Sequence, residues 1–576
     1  MKAEETNVDS PVLSVQDLSL DFHLRTHILH AVRKVSFDLY RGRTLALVGE
    51  SGSGKSVTAR ALLRIVDRPG RMVGGSILLR TDQAELDLAP LAPDSRQVRA
   101  VRGARIGLIF QEPMASLSPV HTIGSQIDEV LRLHAGLDKK AARARTIELL
   151  GQVEIPNPAE MADRYTFEFS GGMRQRAMIA MALACNPDVL IADEPTTALD
   201  VTTQAEILDL IKRLQVERGM AMLLITHDMG VVAEVADEVA VMRFGKIVEQ
   251  GGVDAIFHAP QHPYTQRLLA STLKLEQPAE ARTGQGGGAG PILTIDNLAK
   301  TYGSAKGFLG TSKFAIKAVD DVSLTLHAGE NLGIVGESGS GKTTLGRLIL
   351  RTVEPSSGRV VYRDRQGQDV DVTALSKAGL RKFHADVRLI FQDPYASLNP
   401  RMTIGQIVGD PLVVAGGYTA RQIEEKVAEL LRLVGLDPAV MERYPHAFSG
   451  GQRQRIGIAR ALALDPRVII ADEATSALDV SIRSQILDLL LDIQQRLDLS
   501  FIFISHDISV VRYFCDRVAV MHRGKLVEVG PAEKICTTPD ADYTRALISA
   551  VPNPDPRNKR MLHRTRISAP STLTVC

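Results

Sequence analysis

The sequence predicts an α/β chain of two tandem domains, each built around a strand, a glycine-rich phosphate loop and a helix start. Three observations carry this. Gly49-Glu50-Ser51-Gly52-Ser53-Gly54-Lys55-Ser56 fits the phosphate-cradling pattern of glycine, four residues, then glycine, lysine and a hydroxyl, and Gly336-Glu337-Ser338-Gly339-Ser340-Gly341-Lys342-Thr343 repeats it. Each copy follows a short apolar run, Thr44 to Val48 or Asn331 to Val335, that reads as a buried strand. The halves also match beyond the loops: 287 residues separate Lys55 from Lys342, 281 separate Gln111 from Gln392, and 279 separate Glu194 from Glu473. Duplication followed by a few loop deletions produces such a drift.

The residue types follow from the ligand. A triphosphate must be surrounded by donors at close range, and glycine removes the side chains that would hold the backbone away. Successive N–H groups then converge on the phosphates, and the helix N-terminus adds its positive end. Lys55 or Lys342 reaches the outer phosphates, and Ser56 or Thr343 is placed to ligate magnesium. Nucleotide binding alone leaves the function open.

The chain has 576 residues, a net charge of +1 and 23% charged residues, so its composition lends no support to a nucleic-acid partner. Cys185, Cys515, Cys536 and Cys576 show no paired spacing of a zinc site, and their scarcity fits a reducing, cytosolic compartment. The stretch from Met1 to Pro11 is polar and acidic, unlike a secretory signal. No apolar run approaches the roughly 20 residues that span a bilayer, so any membrane role is expected to work through other subunits.

The first domain is expected over residues 12–276. Residues 277–291, rich in glycine, lose apolar periodicity and read as a flexible linker with a mean span of roughly 20 Å. The second domain is expected over 292–556. A basic tail, 557–576, reads either as a solvated end or as a segment attracted to anionic lipid.

Downstream of each loop an apolar run ends in paired acids, Asp193-Glu194 and Asp472-Glu473, at the strand end where open α/β sheets place ligands. Asp193 and Asp472 suit a magnesium shell. Glu194 and Glu473, pointing differently, suit the orientation or deprotonation of an attacking water. Between loop and acids stand Ser170-Gly171-Gly172 and Ser449-Gly450-Gly451, each opening an alanine-rich helix and forming a second anion site. One triphosphate does not need both surfaces, so a head-to-tail pairing of the halves is expected, the loop of one facing the serine-glycine turn of the other. By contrast, Ile207, Leu210, Ile211 and Leu214, and Ile486, Leu489, Leu490 and Ile493, recur at helical spacing and read as core.

With these motifs on nearly its whole length, the chain resembles an ATP-binding cassette protein with two fused nucleotide-binding domains. The resemblance implies P-loop NTPase domains, each a RecA-like mixed sheet core with an antiparallel β subdomain and a helical signature subdomain. It implies that Phe22 and Tyr302 stack on adenine, and that Gln111 and Gln392 ligate magnesium and sense a transporter. Asp200 and Asp479 match the loop exchanged across the dimer, and His227 and His506 the histidine that contacts the γ-phosphate. The nucleotide site then comprises Gly49, Ser51, Gly52, Gly54, Lys55, Ser56 and Val57 in the first half, and Gly336, Ser338, Gly339, Gly341, Lys342, Thr343 and Thr344 in the second. Two positions depart from the pattern: Met173 stands where the signature usually has glutamine, and Ala474 where the first half has Pro195.

The edges narrow the resemblance. His262-Pro263-Tyr264-Thr265, Asp542-Tyr543-Thr544, Val551 to Pro556, and the Phe-Gln-acid-Pro segments at Phe110 and Phe391 are similar to those of the dipeptide, oligopeptide and nickel importer branch. This implies a peripheral ATPase at the cytoplasmic face of the inner membrane, using ATP and Mg2+, with two integral permease subunits and, indirectly, an extracytoplasmic substrate-binding protein. Some of that branch carry a cysteine cluster for an iron–sulfur centre after this segment. The first half has no cysteine there and Cys536 stands alone, so no cluster is expected. The alternative is a soluble tandem cassette ATPase acting on ribosomes or DNA. Its relatives carry a long charged linker or zinc-binding cysteines, neither of which this sequence shows.

Overall fold

A computed structural model describes residues 10–81, 85–197, 199–279, 290–303, 315–393, 395–476 and 478–565. Most of the expected linker and residues 566–576 of the expected tail lie outside these.

The first half contributes β1 (Leu13–His23), β2 (Ile28–Leu39), β3 (Thr44–Val48), β4 (Gly70–Arg80), β5 (Glu85–Asp87), β6 (Ile106–Ile109), β7 (Val189–Asp193), β8 (Ala221–Thr226), β9 (Glu238–Arg243) and β10 (Lys246–Gly252). They form an antiparallel sheet, β2-β1-β4-β5, and a core sheet, β10-β9-β3-β8-β7-β6, parallel except for the β9–β10 hairpin. Every residue of β3, β7 and β8 is buried, because helices cover both faces of a parallel sheet and leave no side for alternation. The helical part reads differently. In the helix Ile123–His134, capped by Thr122, the buried Ile123, Ile127 and Leu131 recur every four residues along one stripe.

The second half repeats the plan with β11 (Pro291–Tyr302), β12 (Ile316–His327), β13 (Asn331–Val335), β14 (Ser357–Arg363), β15 (Asp369–Asp371), β16 (Val387–Ile390), β17 (Val468–Asp472), β18 (Ser500–Ile504), β19 (Arg517–His522) and β20 (Lys525–Pro531). Its sheets run β12-β11-β14-β15 and β16-β17-β18-β13-β19-β20. The expected fold class, with mixed core sheet, antiparallel sheet and helical part in each half, is therefore observed.

The compact units cut the chain elsewhere than the sequence does. One holds the chain up to Thr272 together with Ala550–Arg564, and the other holds Leu273–Ser549. Within the first unit Met561 is fully buried, and the N–H groups of Asn553 and Met561 donate to Glu234 Oε1 at 3.2 and 2.9 Å. Arg557 pairs with Asp254 at 2.6 and 2.7 Å, and Arg564 with Asp209. Within the described part of the expected tail, Met561 and Arg564 are packed into this unit while Arg557, Asn558 and His563 stay exposed, so this part is docked at those two side chains. The carboxylates of Asp254 and Asp209, and the pocket for Met561, give these residues partners that composition does not reveal. In the second unit the equivalent acid, Asp488, pairs with Lys274 at 2.6 Å, and Ser509 donates to Glu276 at 2.7 Å.

Candidate nucleotide site

The loop starts where β3 ends. Gly49 has φ 148° and Gly54 φ 105°, and a side chain on either would run into a backbone carbonyl, of Met242 or of Ala31. Only glycine fits both the dihedral and the space. Gly54 caps the helix Lys55–Leu62, so the loop ends on N–H groups of a first helical turn, which have no acceptor within the helix itself. Lys55, 6% exposed, donates to Gly49 O at 2.6 Å and Glu50 O at 3.0 Å. Lys342 does the same to Gly336 O and Glu337 O at 2.7 and 2.8 Å.

The end of β7 brings the acids to this loop. Ser56 Oγ donates to Asp193 Oδ1 at 3.0 Å, and Thr343 Oγ1 to Asp472 Oδ1 at 3.2 Å. Burial pushes the carboxyls of Asp193 and Asp472 upward, disfavouring the charged form that a cation beside it would restore. Glu194 and Glu473 adopt left-handed backbone, φ 47° and 48°, while donating their N–H groups to Ile225 O and Ile504 O. Residue type alone does not disclose this turn.

Three side chains meet the carboxylate of Glu194. Gln111 Nε2 donates to Oε2 at 2.8 Å, Thr197 Oγ1 to the same oxygen at 2.9 Å, and His227 Nδ1 lies 3.3 Å from Oε1. Burial opposes the charge on Glu194, but the bond and charge of His227, then Thr197 and Lys55, outweigh it and hold the carboxyl down at about 2. Glu473 has Gln392 at 2.7 Å and His506 at 3.2 Å and is lowered too. Its counterpart of Thr197, Ser476, turns its hydroxyl to the backbone carbonyl of Glu473 instead.

The serine-glycine turns are bonded to their own helices. Ser170 accepts from Met173 N at 3.3 Å and Ser449 from Gln452 N at 3.4 Å. Side chains at Gly172 or Gly451 would meet Thr203 or Ile482. Asp200 caps the helix Val201–Arg218, accepting from Thr203 N at 3.0 Å, and Asp479 stands at the start of Val480–Leu497. Phe22 packs partly buried against the first core, while Tyr302 is 42% exposed beneath the Lys300 ammonium.

Comparison with known proteins now decides the family. The pattern of the family described as "ABC transporter" matches residues 32–197 and 319–476, and that described as "Oligopeptide/dipeptide transporter, C-terminal region" matches 248–298 and 527–575. The chain belongs to the ABC transporter family. The glutathione import ATP-binding protein GsiA of Escherichia coli K12 is 49% identical over 574 residues, covering 95% of this chain and 91% of its own. That of Shigella dysenteriae is 50% identical over the same span, and that of Salmonella paratyphi A 49% over 572 residues. A solved dimeric cassette, MJ0796, is 29% identical with a TM-score of 0.37, covering 42% of this chain and 99% of that one.

This ABC chain is accordingly an ATPase, and its two departures from the signature pattern acquire local meaning. Gln452 returns a bond to Ser449 N at 3.0 Å and completes a capping box, which Met173 cannot do for Ser170. The cap itself survives in both. Gln175 donates to the carbonyl of Pro195, whereas the buried amide nitrogen of Gln454, its counterpart in the half that carries Ala474, has no hydrogen-bond partner among the described residues. Each site also offers magnesium what it binds, hard oxygen donors: a hydroxyl and a carboxylate within 3.2 Å of one another. Among the described residues no helix is long and apolar enough to cross a membrane.

Sequence reasoning missed two contributors. Arg176, 11% exposed, ties the signature helix to Val153 O, Glu154 and Glu206, while its counterpart Arg455 has Gly435 and Gln485 in place of those acids. Tyr264 and Tyr543 reach the phosphate loops, a contact that no local pattern signals.

Proposed function

We propose that the chain is the ATP-hydrolysing subunit of an importer for glutathione or another small peptide, acting with two permease subunits at the cytoplasmic face of the inner membrane. A substrate-binding protein outside would deliver the cargo. The observation that carries this is likeness to GsiA over 95% of the chain, C-terminal regions included. Lys55 and Lys342 would hold the outer phosphates, and Ser56, Asp193 and Gln111, or Thr343, Asp472 and Gln392, would hold magnesium, which neutralises phosphate charge. Glu194 and Glu473 would orient the water that attacks the γ-phosphorus and take up its proton as the bond to the β,γ-bridging oxygen breaks. His227 and His506 would keep the carboxylates aimed and contact the γ-phosphate.

The chain should be co-purified with candidate permeases, placed in proteoliposomes, and assayed with a binding protein loaded with glutathione or a dipeptide. Stimulation of ATPase by loaded binding protein is expected. Failure to associate with any permease, with ATPase unaffected by loaded binding protein, would overturn the importer reading.

A further inference from the structure

The C-terminal region of each half places one tyrosine against its own phosphate loop. Tyr264, 4% exposed, accepts a hydrogen bond from Glu50 N at 3.1 Å, and Tyr543 accepts one from Glu337 N at 3.3 Å. The donor follows the first loop glycine, Gly49 or Gly336. The same residue's carbonyl takes the loop lysine, Lys55 at 3.0 Å and Lys342 at 2.8 Å. The tyrosine therefore fixes the N–H side of the residue whose C=O side holds the lysine that must swing to phosphate.

Each tyrosine is itself held on both sides. Its ring lies under the Arg243 guanidinium, 4.8 Å from the centroid, in the first unit, and stacks on His522 at 4.0 Å in the second. Behind it, the start of its helix is anchored by a carboxylate from the core-sheet hairpin. Glu249 accepts from the N–H groups of Gln261 and His262 at 2.6 and 3.1 Å, and Glu528 from those of Asp540 and Ala541 at 2.8 and 3.1 Å. Two unlike ring partners with one preserved hydroxyl contact show that the repeat retains the hydroxyl's position, not the ring's surroundings.

We propose that Tyr264 and Tyr543 are positioning residues for ATP binding: each sets the first turn of its phosphate loop so that the loop lysine is poised to exchange backbone carbonyls for phosphate. The proposal rests on reading Gly49–Ser56 and Gly336–Thr343 as the triphosphate loops.

The test uses the full chain carrying Tyr264→Phe, Tyr543→Phe or both. Phenylalanine keeps the ring under Arg243 or against His522 and removes the hydroxyl that accepts from the loop N–H. Loss of one hydrogen bond in ground-state alignment is expected to raise KM for MgATP about fivefold in the double variant, with kcat changed far less. Amide exchange over Val48–Lys55 or Val335–Lys342 should quicken in the matching variant. Unchanged KM and unchanged exchange would overturn the proposal, as would a lowered Tm with KM unmoved, which marks a merely structural contact. Lys55→Ala with Lys342→Ala separates the two readings. If that variant loses MgATP binding while the phenylalanine variants bind normally, the tyrosine proposal alone fails. If it binds MgATP like the parent, the loop reading fails with it.

Discussion

His227 Nδ1 lies 3.3 Å from Glu194 Oε1, and His506 repeats the contact with Glu473 at 3.2 Å. In each unit the histidine follows the end of one core strand and the glutamate the end of its neighbour, so the pairing of β7 with β8, or β17 with β18, sets the separation. Replacing both glutamates, Glu194→Gln with Glu473→Gln, should lower ATP turnover about 100-fold, the usual scale for a lost proton acceptor. Steady-state phosphate release checks this. Full activity in either single variant would show that site to be dispensable.

The same contact makes stability depend on pH. Glu194 falls from an ordinary 4.5 to about 2 in the fold, so its charged form is favoured by folding. That stabilisation, on the order of 3 kcal/mol, is fully present above pH 4.5 and is lost as pH falls from there toward 2. Urea unfolding should therefore find Glu194→Gln destabilised at pH 7, the gap to the parent closing below pH 4.

Asp193 carries the opposite sign. Burial raises its carboxyl, so folding favours the protonated form, most fully below the ordinary 3.8, and the benefit is lost as pH rises through the folded value. Asp193→Asn should thus hold or raise Tm at pH 7 while removing the carboxylate offered to magnesium, so hydrolysis should fall steeply. Activity gained at the cost of local stability is the expected pattern for such a site.

Arg176 anchors one signature helix more firmly than Arg455 anchors the other. Its guanidinium meets two acids and a carbonyl, whereas Arg455 donates to Val434 O at 2.7 Å with no acid at the equivalent positions. Arg176→Ala should cost about 2 kcal/mol and loosen Gly171–Ala182 in amide exchange, and Arg455→Ala should disturb Gly450–Leu462 less. Equal effects would show that the acids add nothing.

Ending the chain after Ser549 should weaken the first unit selectively. It strips Glu234, 1% exposed, of the N–H groups of Asn553 and Met561 and empties the site of the Met561 side chain. Burial of one methionine alone is worth about 2 kcal/mol. Exchange should quicken over Met229–Val235, the helix next to His227, while Ile508–Phe514 keeps its protection.

The sequence by itself determined the parts whose physics is local. A phosphate loop is eight consecutive residues in which glycine, lysine and hydroxyl each act within one turn of a helix start, and a buried parallel strand announces itself as an unbroken apolar run. Duplication then doubled every such signal, so the two-domain fold and the pairs Ser56–Asp193 and Thr343–Asp472 were legible in outline. Tertiary structure decided what depends on distant segments. Glu50 meets Tyr264 from 214 positions away, and Glu234 meets Met561 from 327. No periodicity encodes such contacts, because they arise where strand order and helix packing bring loop ends together. The left-handed backbone at Glu194 and Glu473 belongs with these. A glutamate pays for that conformation only where the surrounding sheet and loop leave it no other, and that surrounding is absent from the chain read residue by residue.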